Sequence, residues 1–356
     1  MSDGVSVAQP NGRIQRTNAT LEEVARLAGV SRATVSRVVN GSPRVSPSVR
    51  LDVQAAVQQL GYTPNLAARS LVTRRSNSIA VVITQPTGQV FADPFFPRLL
   101  RGISSTLTAR DRQLILLMPE LSADESRIAD YLTAGHVDGA LLVSLHEHDP
   151  LPARLTAAGV PIVVAGRPPK GVRVSYVDVD NRQGAQSAVA HLVASGRRVI
   201  ATITGPLDTA PGLDRRQGYR DALAEAGLEP DRTLEALGNF TQEGAGAAIA
   251  QLLAIHPDID AIFAASDQMA ATALNLLAAS GRHVPSDVAV VGFDDLAIAV
   301  STNPQLTSVH QPIEEMGHEM ARLLVEAVDA PDPVRRRVIL ATELIQRASS
   351  AGRVSP

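Results

Sequence analysis

The stretch from Thr20 to Leu60 constrains the chain more than any other, because its helix starts and stops fall too close together for anything but a compact three-helix unit. Thr20 and Glu23 form a T-x-x-E pair in which each side chain can bond the other's free backbone N–H, so a helix is expected from Leu21. Gly29 ends it, and Ser31 caps a second helix running to about Asn40. Ser46 is expected to cap a third, with Pro47 in its first turn and Val53, Ala56, Val57 and Leu60 spaced to face the other two; Gly61 stops it. Two short helices joined by a tight glycine turn are a helix-turn-helix.

The second helix carries the chemistry. Arg32, Ala33, Ser36 and Arg37 can share one face, while Val35, Val38 and Val39 supply apolar contact. Arginine can bond the O6 and N7 of guanine in parallel and an alanine methyl suits a thymine methyl, so this face fits a major groove; the alternative for either arginine is an ordinary solvated surface. Charge favours the groove. Residues 1–75 hold ten Arg against Asp3, Glu22, Glu23 and Asp52, a balance of +6, whereas the remainder carries −9. A basic head on an acidic body suits a phosphate backbone at one end only.

Three motifs carry a wider similarity: V-A-x-x-A-G-V-S-x-x-T-V-S-R-V-x-N over Val24 to Asn40, L-G-Y-x-P-N over Leu60 to Asn65, and A-x-R-S-L over Ala67 to Leu71. On them the chain resembles the lactose/galactose repressor family of bacterial transcription regulators. That resemblance implies that Arg32, Ala33 and Arg37 read bases, that Thr20, Ser31, Thr34 and Asn40 contact phosphates, and that Leu71 is the leucine these dimers insert into the minor groove. Apart from it, Asn65 to Leu71 lies between Pro64 and a basic Thr73-Arg74-Arg75 and is too short to be a stable helix alone. It is expected to fold on DNA, with Asn65, Ala68 and Arg69 joining Leu71 in the contact. Read without the family, Leu71 is a linker residue packed on its neighbours.

From Asn77 the pattern changes to short β-branched runs alternating with helices. Candidate strands are 79–84, 114–117, 139–143, 162–165, 176–179, 199–203, 261–265 and 288–291. Continuous apolar strands between helices indicate parallel sheets covered on both faces. Such units recur over about 78–165 and 199–292, giving two similar lobes with a cleft. The expected organisation is a disordered tail (1–18), a helix-turn-helix domain (19–63), a hinge helix and linker (64–76), a two-lobed effector-binding and dimerisation domain (77–346) and a C-terminal tail (347–356). The fold class is α/β, with an all-α N-terminal DNA-binding domain and, by the family resemblance, a periplasmic-binding-protein-like body.

Ligands of open α/β sheets sit beyond the carboxyl ends of the strands. The loops there hold Asp93, Phe95, Phe96, Arg167, Asp178, Asp180, Arg215, Asp267, Asp294 and Asp295. The resemblance extends through D-P-F-F (93–96), V-D-G-A (137–140), D-x-D-N (178–181), R-x-x-G-Y (215–219), A-S-D-x-M-A (265–270) and V-G-F-D-D (291–295). It implies that Arg215 and Asp267 are effector ligands and that Phe96 and Phe240 occupy ring-stacking positions. Thr209 and Arg167 are candidates for tuning the choice. The aromatics also argue for themselves: of six Phe in the chain, three (Phe91, Phe95, Phe96) crowd one loop, and Phe240 lies in a polar G-N-F-T segment. Against this, Phe95 can simply cap the core, Asp267 can cap a helix starting at Gln268, and Arg215, opening an amphipathic helix, can be a surface ion pair.

Enzyme readings fare poorly. His146-Glu147-His148-Asp149 precedes Pro150 and lacks a fourth ligand at helical spacing, so no metal is expected. Gly244-Ala-Gly246 lacks a third glycine, and no G-x-S-x-G or P-loop is present. Asp294 and Asp295, as adjacent residues, point apart on most backbones and make a poor acid–base pair. No cofactor is expected. The absence of cysteine, of a signal-like apolar core in residues 1–18 and of any apolar run near ~18 residues points to a cytoplasmic protein. The sequence therefore implies a repressor that binds duplex operator DNA as a homodimer and answers to a sugar or nucleoside-like effector. A small-molecule receptor without DNA function, or a sugar- or nucleoside-processing enzyme on the same frame, are the alternatives.

Overall fold

The computed structural model describes residues 19–39, 42–62, 75–119 and 122–351, in two compact units that divide between Arg74 and Arg75. The first contains α1 (Leu21–Leu27), α2 (Arg32–Val39) and α3 (Pro47–Leu60). Both halves of the Thr20/Glu23 capping box form. Gly29 and Gly61 take left-handed φ of 66° and 57°, the conformation that turns the chain after each helix and that a Cβ would oppose. Val24, Val35 and Val53 are fully buried and, with Ala25, Val38, Ala56 and Tyr62, make the core. Two expectations fail here. Ser46 makes no side-chain cap, its hydroxyl meeting Ser48 instead, so the fixed φ of Pro47 is what starts α3. Leu60 is exposed, because the last turn of α3 runs past the two shorter helices.

The second unit holds two six-stranded sheets. The first lobe contains β1 (Ser78–Ile83), β2 (Gln113–Leu117), β3 (Gly139–Val143), β4 (Ile162–Ala165) and β5 (Ser175–Val179), joined by β11 (Arg337–Leu340), in the order β11-β5-β4-β3-β1-β2. The second contains β6 (Ile200–Thr204), β7 (Glu235–Leu237), β8 (Ala261–Ala264), β9 (Ala289–Asp294), β10 (Thr307–His310) and β12 (Glu343–Ile345), in the order β12-β10-β9-β8-β6-β7. All pairings are parallel except β10 with β12. Buried runs such as SIAVVI and AVVGFD are what a strand covered on both faces requires.

The helices complete the layers. In the first lobe these are α4 (Thr87–Ala92), α5 (Phe95–Thr108), α6 (Ser122–Thr133) and α7 (Leu151–Ala157). The second has α8 (Asn181–Ala194), α9 (Ala210–Glu225), α10 (Gln242–Ile255), α11 (Asp267–Ala279) and α12 (Ala297–Ser301). The last helix, α13 (Ile313–Asp329), returns to the first lobe and packs on α5 so closely that Gly102 and Gly317 have no room for a Cβ. The chain thus passes between lobes three times, at Asp180, at Gln311-Pro312 and between β11 and β12. The first and last of these passages are tied together: Asp180 N–H donates to Leu340 O, and the Thr342 hydroxyl to Asp180 O. The end is not a free tail from 347, since Ser349 and Ser350 are fully buried against β9 and β10 through hydrogen bonds to Val290 O, Thr307 N–H and the Thr307 hydroxyl. No helix of the described residues is long and apolar enough to cross a membrane.

Candidate functional site

On the first unit, α2 turns Val35 and Val38 inward, and that leaves Arg32, Ala33 and Arg37 exposed. Arg37 makes no ion pair or side-chain hydrogen bond among the described residues, whereas Arg32 pairs with Glu22 at 3.1 Å across the turn. The pair is solvent-exposed at both ends, so it is weak and easily exchanged for a DNA partner. Thr20 and Ser31 are exposed at the starts of α1 and α2, where each hydroxyl accepts from its helix, Thr20 from Glu23 N–H at 3.3 Å and Ser31 from Thr34 N–H at 3.2 Å. Thr34 and Ser36 are half-buried. Asn40, Asn65, Ala68, Arg69 and Leu71 lie outside the described residues.

Between the lobes of the second unit lies a cavity of about 900 Å³, counting its open mouth. It sits at the carboxyl ends of both sheets and collects Asp93, Phe95, Phe96, Arg167, Asp178, Thr209, Arg215, Phe240 and Asp294 in its wall, nine of the twelve cleft positions named from sequence. Phe95 and Phe96 belong to the first turn of α5 and not to a loop; their rings meet edge to face with centroids 5.4 Å apart. Both also pack on the first lobe's core, so the capping and cavity roles coincide. Phe91, by contrast, is exposed on α4. Phe240 is aimed by strain: Asn239 and Phe240 both have positive φ, 54° and 56°, and the ring lies over Gly205, where an added Cβ would be 2.1 Å from it.

Arg215 is the centre of the site. It lies in the second turn of α9, which Thr209 caps, and is buried, so the alternative of a surface ion pair does not hold. Nε donates to Asn181 Oδ1 at 2.8 Å, and Nη1 to Ala265 O at 2.6 Å and Asp294 Oδ1 at 3.2 Å. Its flat face covers Phe293 at 3.7 Å from the ring centroid, with Phe240 at 5.7 Å. Burial disfavours the charged form and pulls the Arg215 pKa down, opposed chiefly by Asp294 and Asp178.

The carboxylates show the converse. Burial pushes Asp178 up to about 6 and Asp294 up to about 7, against the hydrogen bonds and the arginine charge that lower them. Burial raises Asp93 too. Asp178 accepts from Val179 N–H, Asn181 Nδ2 and Arg167 N–H; Asp294 accepts from Arg215 and from Gln311 Nε2. Backbone strain concentrates beside them, at Asp294 (φ 107°) and Asp295 (φ 51°).

Asp267 was also expected in the wall and is not there, and neither are Asp180 and Asp295. Ser266, not Asp267, caps α11, and Asp267 as the first residue of that helix is fully buried. Its Oδ2 accepts from Leu296 N–H at 2.7 Å and its Oδ1 from the Ser308 hydroxyl, in a space open only because residue 292 is glycine. Its effect in this geometry is to hold the strained 294–296 segment. Gln311, Asn181, Gln85 and Gln89 line the cavity and were not singled out. Asn181 was inside a quoted motif, but Gln311 follows β10, whose TSVH sequence carries no apolar signal. At the rim, His146 Nδ1 meets Asp208 Oδ2 at 2.8 Å and Arg167 meets Asp214 at 2.8 Å, each linking first lobe to second. Among the described residues no cluster of His, Asp and Glu could hold a metal ion.

Residues 20–65 match the family model described as bacterial regulatory proteins, lacI family, and residues 189–350 match the periplasmic binding protein-like domain. The HTH-type transcriptional regulator CelR of Thermobifida fusca is 49% identical over 338 residues, 94% of this chain and 99% of CelR. Among solved structures, a transcriptional regulator CelR–cellobiose complex matches 93% of the chain and all of its own at 47% identity, with a TM-score of 0.75. The lac repressor dimer bound to operator and the anti-inducer ONPF matches 94% of the chain and 99% of its own at 27% identity, with a TM-score of 0.83. With near-complete coverage at this identity, and with both the helix-turn-helix and the two-lobed body present, the chain belongs to the lacI family of bacterial regulatory proteins.

Proposed function

We propose that this regulator is a repressor that binds an operator of approximate twofold symmetry as a homodimer, and that a sugar in the interlobe cavity sets whether it binds. The observation that carries the reading is the cavity wall itself. Aromatic rings on two sides (Phe96 and Phe240) enclose a set of fixed donors and acceptors (Asp93, Asp178, Asn181, Arg215, Asp294), the combination that holds a ring bearing hydroxyls. The relative bound to cellobiose supports a disaccharide as the first candidate.

Coupling follows from how the wall is built. Asp178 belongs to the first lobe, Arg215 and Asp294 to the second, and Gln311 to the passage between them, so a bound sugar would tie both lobes and prefer one arrangement of them. A differential affinity of ~1–3 kcal/mol between arrangements is enough for a several-fold to hundredfold change in DNA affinity. In each head, Arg32, Ala33, Ser36 and Arg37 would face the major groove, with Thr20, Ser31, Thr34 and Asn40 on the backbone and Asn65, Ala68, Arg69 and Leu71 at the hinge. The test is a gel shift with a site selected from randomised duplex, titrated with cellobiose and a panel of mono- and disaccharides. A preferred near-palindromic site and a dose-dependent shift by one sugar are expected. No preferred site would overturn the regulatory reading, and a preferred site indifferent to every sugar would overturn the effector assignment.

A further inference from the structure

The charged atoms of the cavity are unequally committed. Asp93 Oδ1 accepts from Phe95 N–H at 2.9 Å, but its Oδ2 has no protein donor among the described residues, and the same holds for Asp294 Oδ2. Both residues line the cavity. The cations are in the opposite condition. Arg167 bonds Asp214 at the rim, and Arg215 is answered by Asp294 at 3.2 Å while Nε and Nη1 serve Asn181 and Ala265 O, leaving Nη2 alone.

We propose that the site selects uncharged polyhydroxyl ligands and excludes their anionic derivatives, sugar phosphates and sugar acids, with the free carboxylate oxygens of Asp93 and Asp294 as the determinants. The inference rests on the reading of this cavity as the effector site and names the class of sugar it takes. A hydroxyl can donate to each free oxygen and accept from Arg215 Nη2, so a neutral sugar satisfies the wall with no new charge. A phosphate or carboxylate offers acceptors where acceptors already stand. It also brings a buried negative charge beside Asp93, Asp178 and Asp294, where each arginine of the wall already has a carboxylate partner, Asp214 for Arg167 and Asp294 for Arg215. The same wall penalises the wrong ligand and rewards the right one.

The experiment is isothermal titration calorimetry of the full chain with cellobiose, cellobiose 6′-phosphate and cellobiouronic acid. Cellobiose is expected to bind and both anions to bind on the order of a hundredfold more weakly, the equivalent of leaving a buried charge unpaired. In Asp93→Asn, which keeps an oxygen for Phe95 N–H and removes the charge, the gap should close to about tenfold. Equal or tighter binding of an anion to the unaltered chain would overturn the proposal and leave the sugar reading standing, whether or not the variant folds. An unchanged gap in a folded Asp93→Asn would remove Asp93 as a determinant. Failure of neutral and anionic sugars alike would bring down the effector reading, and the proposal with it.

Discussion

Arg37 and Arg215 are both arginines on helices, and they do opposite things with their charge. Arg37 stands exposed on α2 with no partner among the described residues; Arg215 is buried on α9, where two side chains and a carbonyl take its N–H groups and an aromatic ring its face. The first unit keeps its functional charges exposed on a small valine-rich core, Arg37 unpaired among the described residues and Arg32 in a weak surface pair, ready for a partner that brings its own counter-charge. The second unit buries its charges and balances them internally, so that a ligand need only complete a network already present. The first surface suits a polyanion; the second, on the reading proposed above, suits a molecule without charge.

The sharpest way to break this contrast is to truncate each arginine in turn. Arg215→Ala leaves Asp294 and Asp178 without the buried cation that favours their charged forms and should cost about 3–5 kcal/mol of second-unit stability, read from urea unfolding. Loss of less than about 1 kcal/mol would mean that the network is not balanced by Arg215. Arg37→Ala should leave the unfolding midpoint where it was and cost ~1–3 kcal/mol of operator affinity, with one base position relaxed in a selection on randomised duplex. If instead Arg37→Ala melts the first unit, Arg37 is structural and the exposed-charge half of the comparison fails. A smaller effect is expected from Gly205→Ala. The new methyl displaces the Phe240 ring, and sugar affinity should fall by about 0.5–1.5 kcal/mol, the worth of one aromatic contact, with stability little changed.

These differences also explain what could be read from sequence. The first unit is local: caps, turn glycines and valine spacing sit within a few residues of the contacts they make, so its helices and its exposed face were legible, Ser46 and Leu60 excepted. Strands with continuous apolar runs were legible for the same reason. β7, β10, β11 and β12 were not. They are edge or short strands whose pattern is polar or alternating, and their pairing depends on segments far along the chain, β5 with β11 being the extreme case. The cavity residues were found largely because motifs marked them, and because loops at carboxyl ends of strands are where ligands sit. What no motif conveyed was orientation. Asp267 is beside the cavity in sequence terms, yet Gly292 and Ser308, brought in by β9 and β10, receive its carboxylate on the far side. Gln311 enters the wall only because the chain crosses between lobes there.

The shallowest expected effect is on pH, and it separates the two units cleanly. Asp178 and Asp294 are held by burial at about 6 and about 7, above the 3.8 of an unperturbed aspartate. The folded second unit therefore binds protons more tightly than the unfolded chain. That contribution is fully present below about 3.8 and is lost as pH rises through 6 to 7. Each carboxylate tilts stability downward by at most ~1.4 kcal/mol per pH unit in that window. A neutral sugar donating hydroxyls to these oxygens favours their ionised forms, so binding should release protons and tighten as pH rises from 6 to 8. Calorimetry of cellobiose binding in two buffers of different ionisation enthalpy reads the released protons directly. Proton uptake, or sugar affinity that weakens toward pH 8, would show that the wall meets its ligand with protonated carboxyls, and the buried charges would then resemble the exposed ones less than the geometry implies.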